Sequence, residues 1–203
     1  MTLKDRANKL LILLSGHLKP LFTAVIILAI LQVTGLRSQL NEMSQSALML
    51  SGFYDTSGEA LAGSEDFHYQ FTIKDLQGHR LPFDKFRGKV VFLNLWATWC
   101  TPCRAEMKGI QKLYEKVKKD SIVFVMLSID KDRDKGKIEE YIRVKGFNFP
   151  VYQPSGYLTQ QLNVPEIPTT FIISREGKIV KKEIGSKNFD NAKFEKYLKN
   201  LSQ

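Results

Sequence analysis

Cysteine is scarce in this chain of 203 residues: there are two, alongside three histidines, none of them beyond His79. A zinc centre ordinarily takes four protein ligands, or three and a water, from cysteine, histidine and carboxylates. His17, His68 and His79 are not placed to complete such a set around two cysteines. No glycine-rich phosphate loop and no internal repeat occur. The net charge is +9, and from residue 66 onward 25 basic residues face 16 acidic ones, so the whole excess lies there. The lysines are scattered, with no basic patch interleaved with aromatics, which argues against nucleic acid. They read as a solvated surface, with attraction to acidic partners or anionic lipid as the alternative.

The two cysteines stand together as Cys100-Thr101-Pro102-Cys103. Val90 to Trp96 is an apolar, β-branched run of strand character. After Ala97-Thr98-Trp99 and the pair comes an amphipathic stretch from Arg104 to Lys119, read as a helix on which Met107, Ile110, Leu113, Tyr114 and Val117 pack inward. Strand, short turn, cysteine pair and helix form the context of a redox motif. Free N–H groups and the positive end of a helix dipole favour an anion at Cys100. That anion is the thiolate, the nucleophilic form of cysteine. Pro102 fits a first helical turn, where a missing N–H is harmless. Cys100 is therefore assigned as the attacking thiol and Cys103 as the resolving one. A static bridge is the bland alternative, but closing so short a loop gains little chain entropy.

Trp96 to Met107 resembles the active-site segment of the TlpA/ResA-like thioredoxin family, bacterial thiol–disulfide oxidoreductases tethered outside the cytoplasm. The likeness extends over about Asp66 to Leu201. It implies a thioredoxin fold with a central insertion, a disulfide-reducing role, frequent service in cytochrome c maturation and no cofactor beyond the redox-active disulfide Cys100–Cys103. Val164-Pro165-Glu166-Ile167-Pro168-Thr169-Thr170-Phe171 matches the segment in which a cis proline lies against the cysteines, placing that proline at Pro168. Trp99, Thr101, Pro102, Ile167 and Pro168 are the expected substrate-contacting residues, with the backbone of Ile167 available to an extended peptide. Glu106 shares a helix face with Cys103 and has no cation among its helical neighbours. It matches a functional glutamate of ResA-like proteins and is expected to exchange protons with Cys103. The bland alternative is a solvated glutamate favoured by the dipole. Ordinary thioredoxins carry a buried aspartate at the position of Asn94, which cannot titrate. Lys108 departs from the pattern, since most relatives have proline there; Gly109 is expected to permit a bend instead. A copper(I) delivery module is the competing function, because thiolates suit that ion. Related copper-assembly proteins use wider cysteine spacing and a distal histidine, which this chain lacks. Peroxide reduction is disfavoured because Thr98-Trp99-Cys100 is not a peroxidatic cysteine pocket.

Pro20 to Leu36 is an uncharged, mostly apolar run bounded by Lys19 and Arg37, at the short end of a membrane span. Lys4, Arg6, Lys9 and Lys19 precede it with one acid, Asp5. That asymmetry predicts a cytoplasmic N-terminus at 1–19, a single transmembrane anchor at 20–36 and a domain on the extracytoplasmic, periplasmic side of the cytoplasmic membrane. A cleaved signal peptide is the rival, with Val33-Thr34-Gly35 as a weak cleavage site. Residues 37–65 read as a linker. The expected partners are a disulfide-containing protein substrate and a membrane electron donor of the dithiol-transfer type.

Residues 66–203 alternate strands and helices, which predicts an α/β sandwich with one core. Strands are expected at Phe67–Ile73, His79–Leu81, Ile122–Ile129, Phe149–Tyr152, Thr169–Ser174 and Lys178–Ile184. Helices are expected at Lys135–Val144, Tyr157–Leu162 and Asn188–Leu201. The helix from Lys135 with the strand after it is taken as the central insertion.

Overall fold

The structure is a computed structural model that describes residues 20, 22–27, 29–30, 40, 43–45, 47–48, 56, 65–117 and 121–203. The chain divides into two units, Met1–Asn41 and Glu42–Gln203. The expected cytoplasmic stretch 1–19 lies outside the described residues. Of the expected span 20–36, the described residues are helical, and Phe22, Val25, Ile26, Ile27 and Ile30 are exposed. Among the described residues no helix is long and apolar enough to cross a membrane. Most of the expected linker also lies outside them. Thr56 within it is buried and accepts a hydrogen bond from Asn191 Nδ2 at 3.1 Å.

The second unit is built on one mixed sheet. Its strands are β1 (Glu65–Asp66), β2 (Thr72–Asp75), β3 (Arg80–Pro82), β4 (Val90–Trp96), β5 (Ile122–Ser128), β6 (Val151–Pro154), β7 (Thr169–Ile173) and β8 (Lys178–Ile184). They lie in the order β1-β8-β7-β4-β5-β6-β2-β3. Three helices accompany them: α1 (Thr101–Val117), α2 (Lys135–Lys145) and α3 (Ala192–Leu201). β4 is parallel to β5 and antiparallel to β7. All seven of its residues are buried, as a continuous apolar run flanked by strands and covered on both faces requires.

Alternate β4 residues feed two cores. Val90, Phe92 and Trp96 pack with α1 and α3, whose Met107, Ile110, Leu113, Phe194 and Leu198 are buried, and with Ile138 of α2. Val91, Leu93 and Leu95 face the other way, onto Phe67, Tyr69, Phe71, Phe83 and Phe86. The expected insertion is real: β6 pairs parallel to β5 on one side and antiparallel to β2 on the other. It thereby joins the β2–β3 hairpin to the sheet. Tyr141 of α2 brings the insertion to the cysteine segment, its ring 5.9 Å from that of Trp96 and 5.3 Å from the Arg104 guanidinium.

Several boundaries differ from the sequence reading. Residues 67–71 alternate buried and exposed as a strand would, yet only Thr72 onward joins the ladder. The aromatics Phe67, Tyr69 and Phe71 instead cover the second sheet face as an irregular segment. It is tied down by Phe67 N–H to Gly177 O and His68 N–H to Gln161 Oε1. Gly177 has φ +83°, and a Cβ there would press to 3.3 Å from the Tyr69 ring. The expected helix Tyr157–Leu162 is only a single 3-10 turn at Gln160–Leu162. The last helix starts at Ala192 because Asn191 caps it, its side chain accepting from Phe194 N–H at 2.8 Å. α1 starts at Thr101, earlier than the apolar periodicity indicates, and runs unbroken through Lys108 and Gly109.

Candidate active site

The cysteine pair lies where β4 gives way to α1. Cys100 and Cys103 form a disulfide with Cα atoms 5.3 Å apart. Cys100 is the residue just before α1, and its carbonyl accepts the Arg104 N–H at 3.1 Å. Its Sγ accepts the Cys103 N–H at 3.2 Å. A serine or aspartate oxygen makes the same contact when it caps a helix; here sulfur fills that role. The N–H group and the helix dipole together stabilise negative charge on Cys100 once the disulfide opens. Cys103 is fully buried, whereas Cys100 retains 5% exposure beside Trp99, which is 67% exposed.

The turn before the pair is held by a residue the sequence reading missed. Asp130 is buried just after β5. It accepts from Thr98 N–H at 2.8 Å, Thr98 Oγ1 at 2.6 Å and Ser128 Oγ at 2.6 Å. These bonds fix Ala97–Trp99 and hence the sulfur's direction. The available signal was an acidic residue at the carboxyl end of a buried strand, where α/β folds gather their functional groups.

Opposite the sulfurs runs the loop into β7. The Ile167–Pro168 peptide is cis, and the Ile167 carbonyl lies 3.7 Å from Cys100 Sγ. Pro168 is buried; Ile167 and Thr101 are half-buried; Pro102 is exposed. A groove of about 340 Å³ opens here, lined by Leu95, Trp99, Ile129, Leu162, Val164 and Ile167 among others. The structure thus gathers Trp99, Ile167 and Pro168 around Cys100, with Thr101 and Pro102 on the adjoining helical turn.

Glu106 is not a solvated helix glutamate. It is 2% exposed. Its Oε1 accepts from Asn94 Nδ2 at 2.8 Å, and its Oε2 accepts from the Lys187 N–H at 3.0 Å. Burial pushes its carboxyl from 4.5 up to about 8, against the opposing pull of the Lys187 N–H, the Asn94 amide and the Lys187 charge. A carboxyl group poised near neutrality one helical turn from Cys103 is suited to proton exchange. The connection after β8 also grips the rest of the site. Gly185 N–H donates to Pro168 O at 2.9 Å, and Ser186 Oγ donates to Pro102 O. Main-chain donors such as the Gly185 and Lys187 N–H groups leave no trace in a sequence motif. Among the described residues no cluster of three or more His, Cys, Asp or Glu side chains is arranged to hold a metal ion.

A Cys-x-x-Cys disulfide that caps the helix after a central parallel strand, faced by a cis-proline loop, defines a thiol–disulfide oxidoreductase on a thioredoxin-like fold. The comparisons with known proteins agree. The AhpC/TSA family profile matches residues 66–182. Thiol-disulfide oxidoreductase ResA of Bacillus thuringiensis (strain Al Hakam) is 31% identical over 155 residues, spanning 76% of this chain and 86% of the relative. Among solved structures, StoA from Bacillus subtilis matches with a TM-score of 0.51 at 25% identity, over 66% of this chain and 96% of that one. A thiol:disulfide interchange protein from Chlorobium tepidum TLS shares the fold, with a TM-score of 0.55 at 21% identity, over 70% of this chain and all of that one. The chain belongs to the AhpC/TSA family and, within it, to the ResA-like thiol–disulfide oxidoreductases.

Proposed function

We propose that this oxidoreductase works as a membrane-anchored reductant of disulfides in extracytoplasmic proteins. The observation that carries the reading is the Cys100 sulfur, capped by the Cys103 N–H and flanked by Trp99 and Ile167, which line the adjoining groove. In the dithiol form, the Cys100 thiolate attacks one sulfur of a substrate disulfide. The substrate S–S bond breaks, its other sulfur leaves as a thiolate and takes up a proton, and a mixed disulfide remains. Cys103 then gives its proton to the Glu106 carboxylate and attacks Cys100 Sγ. That step releases the second substrate thiol and closes the Cys100–Cys103 bond. The substrate gains two electrons and the protein loses two. Trp99, Thr101, Pro102 and the Ile167–Pro168 loop hold the substrate segment during both exchanges. The pair itself carries the electrons, so the reaction calls for no other cofactor.

Reloading requires a dithiol donor, and outside the cytoplasm that donor is a membrane protein passing electrons across the bilayer. Anchoring is supported by the basic N-terminal flank of the apolar run and by the exposed Phe22, Val25, Ile26, Ile27 and Ile30 on helical backbone. Precursors of c-type cytochromes, whose paired cysteines must be reduced before haem attachment, are the substrate class the family resemblance favours. Cys100→Ser is expected to abolish reduction of a model protein disulfide such as insulin while the fold persists; activity retained in that variant excludes the mechanism. Equilibration against glutathione decides direction: a potential near about −250 mV or lower marks a reductant, and one near about −120 mV an oxidant.

A further inference from the structure

Asn94 occupies the centre of a polar set buried beneath the disulfide. It is fully buried on β4. Its Nδ2 donates in two directions, to Glu106 Oε1 at 2.8 Å and, across the β4–β7 register, to Thr170 Oγ1 at 2.9 Å. Its Oδ1 is buried with no hydrogen-bond partner. An orphaned buried acceptor is costly, and native interiors keep few of them. Glu106, meanwhile, receives an N–H at each oxygen. That donor set suits a carboxylate, whereas the burial of the group suits the neutral acid. Both demands are met if the amide has two orientations. A half-turn of the carboxamide places Oδ1 where Nδ2 stood and Nδ2 at the partnerless position of Oδ1, so one end of the amide is unpaired in either orientation. The turned Oδ1 then accepts the O–H of a protonated Glu106 and the hydroxyl hydrogen of Thr170, while the Lys187 N–H still serves the other carboxyl oxygen.

We propose that the Asn94 carboxamide is a positioning group that turns with the proton on Glu106. It donates to the carboxylate and accepts from the acid, and the Thr170 hydroxyl is its second partner in both states. An apolar residue here would favour the acid, and an aspartate would add a like charge. The amide offers a partner to either form, so the Cys103 proton passes to Glu106 and back without leaving the carboxyl oxygen unpaired. Only this last consequence rests on the redox reading. The charged or titratable groups facing Glu106 are Cys103 on its own helix and Lys187 from the β8–α3 connection; the Lys187 ammonium lies 3.9 Å from Glu183 Oε2. From β4 and β7 the facing groups are the neutral Asn94 and Thr170.

The test uses the oxidised full-length protein, isotope-labelled, in which both sulfurs are locked in the disulfide and do not titrate. The carboxyl carbon of Glu106 and the side-chain amide of Asn94 are followed by NMR across the pH range around 8. The two signals are expected to move with one midpoint. Glu106→Gln is expected to abolish the response of Asn94. Asn94→Leu, which removes a charge-assisted donor from the carboxylate and only a weaker neutral acceptor from the acid, is expected to raise the proton affinity of Glu106 up to about tenfold. An Asn94 NH2 group that keeps its nuclear Overhauser contacts to the Thr170 side chain while Glu106 titrates, whatever its chemical shift does, overturns the proposal. So does one that moves unchanged in Glu106→Gln, or a Glu106 that never titrates. The wild-type titration decides the matter even if Asn94→Leu does not fold. No turnover is read, so failure here and failure of the reductase assay are separate results.

Discussion

Glu106 carries opposite preferences for its two protonation states, and the balance is measurable. Its carboxyl is raised from 4.5 to about 8 by burial. Between those values the folded chain holds a proton that the unfolded chain does not. The stabilisation is therefore complete below about pH 4.5 and is lost as pH rises through about 8. Urea midpoints of the oxidised protein are expected to fall across that window, and Glu106→Gln is expected to flatten the profile there. Asp130 acts through geometry. Removing it leaves the Thr98 and Ser128 donors without their acceptor, so Asp130→Ala is expected to lower stability by about 3 kcal/mol in urea titration. It is also expected to slow disulfide exchange by loosening the turn before Cys100. At this scale the placement of Cys100, Cys103 and Glu106 along one side of the helix start was legible in the sequence, because their spacing of three residues sets each about one turn beyond the last. Asp130 and the Lys187 N–H were not. Their partners lie 32 and 81 positions away, and only the folded chain brings them together.

Among the elements, β4, β5 and the β7–β8 hairpin follow from apolar runs that survive folding, and α1 follows from its periodicity except at its start. Residues 67–71 show where that reasoning stops. Their alternation of burial is genuine, but it reports which side chains face the sheet and not whether the backbone pairs within it. Tyr157 misled for another reason: it is fully exposed, so the short segment after it had no apolar anchor at its start from which to wind a helix. Caps matter more to α3 than its length suggests. Asn191 accepts from Phe194 N–H and also donates to Asn188 O and Thr56 Oγ1. Asn191→Ala is expected to cost about 1 kcal/mol from the cap alone. The loss is read as a lower thermal midpoint together with faster amide exchange in the first turn of α3.

For the molecule as a whole, the alternation of strands and helices indicated a layered α/β body, and the cysteine motif narrowed it to one fold. The route by which the insertion ties in the β2–β3 hairpin was beyond reach, because β6 is short and its partner β2 lies more than seventy residues earlier in the chain. A fragment beginning at Glu42 keeps Thr56 against Asn191 and is expected to stay soluble and reduce insulin, whereas the full chain is expected to sediment with membranes; centrifugation of a lysate distinguishes them. The β4–β7 pairing has a further consequence. Asn94 meets Thr170 across 76 positions, so the innermost strand waits for its second neighbour until the last part of the chain has been made. Until then it presents an open, sticky edge to any other nascent polypeptide. A ribosome halted before Thr169 releases an aggregation hazard, and newly synthesised chains are most in need of a chaperone during that late interval.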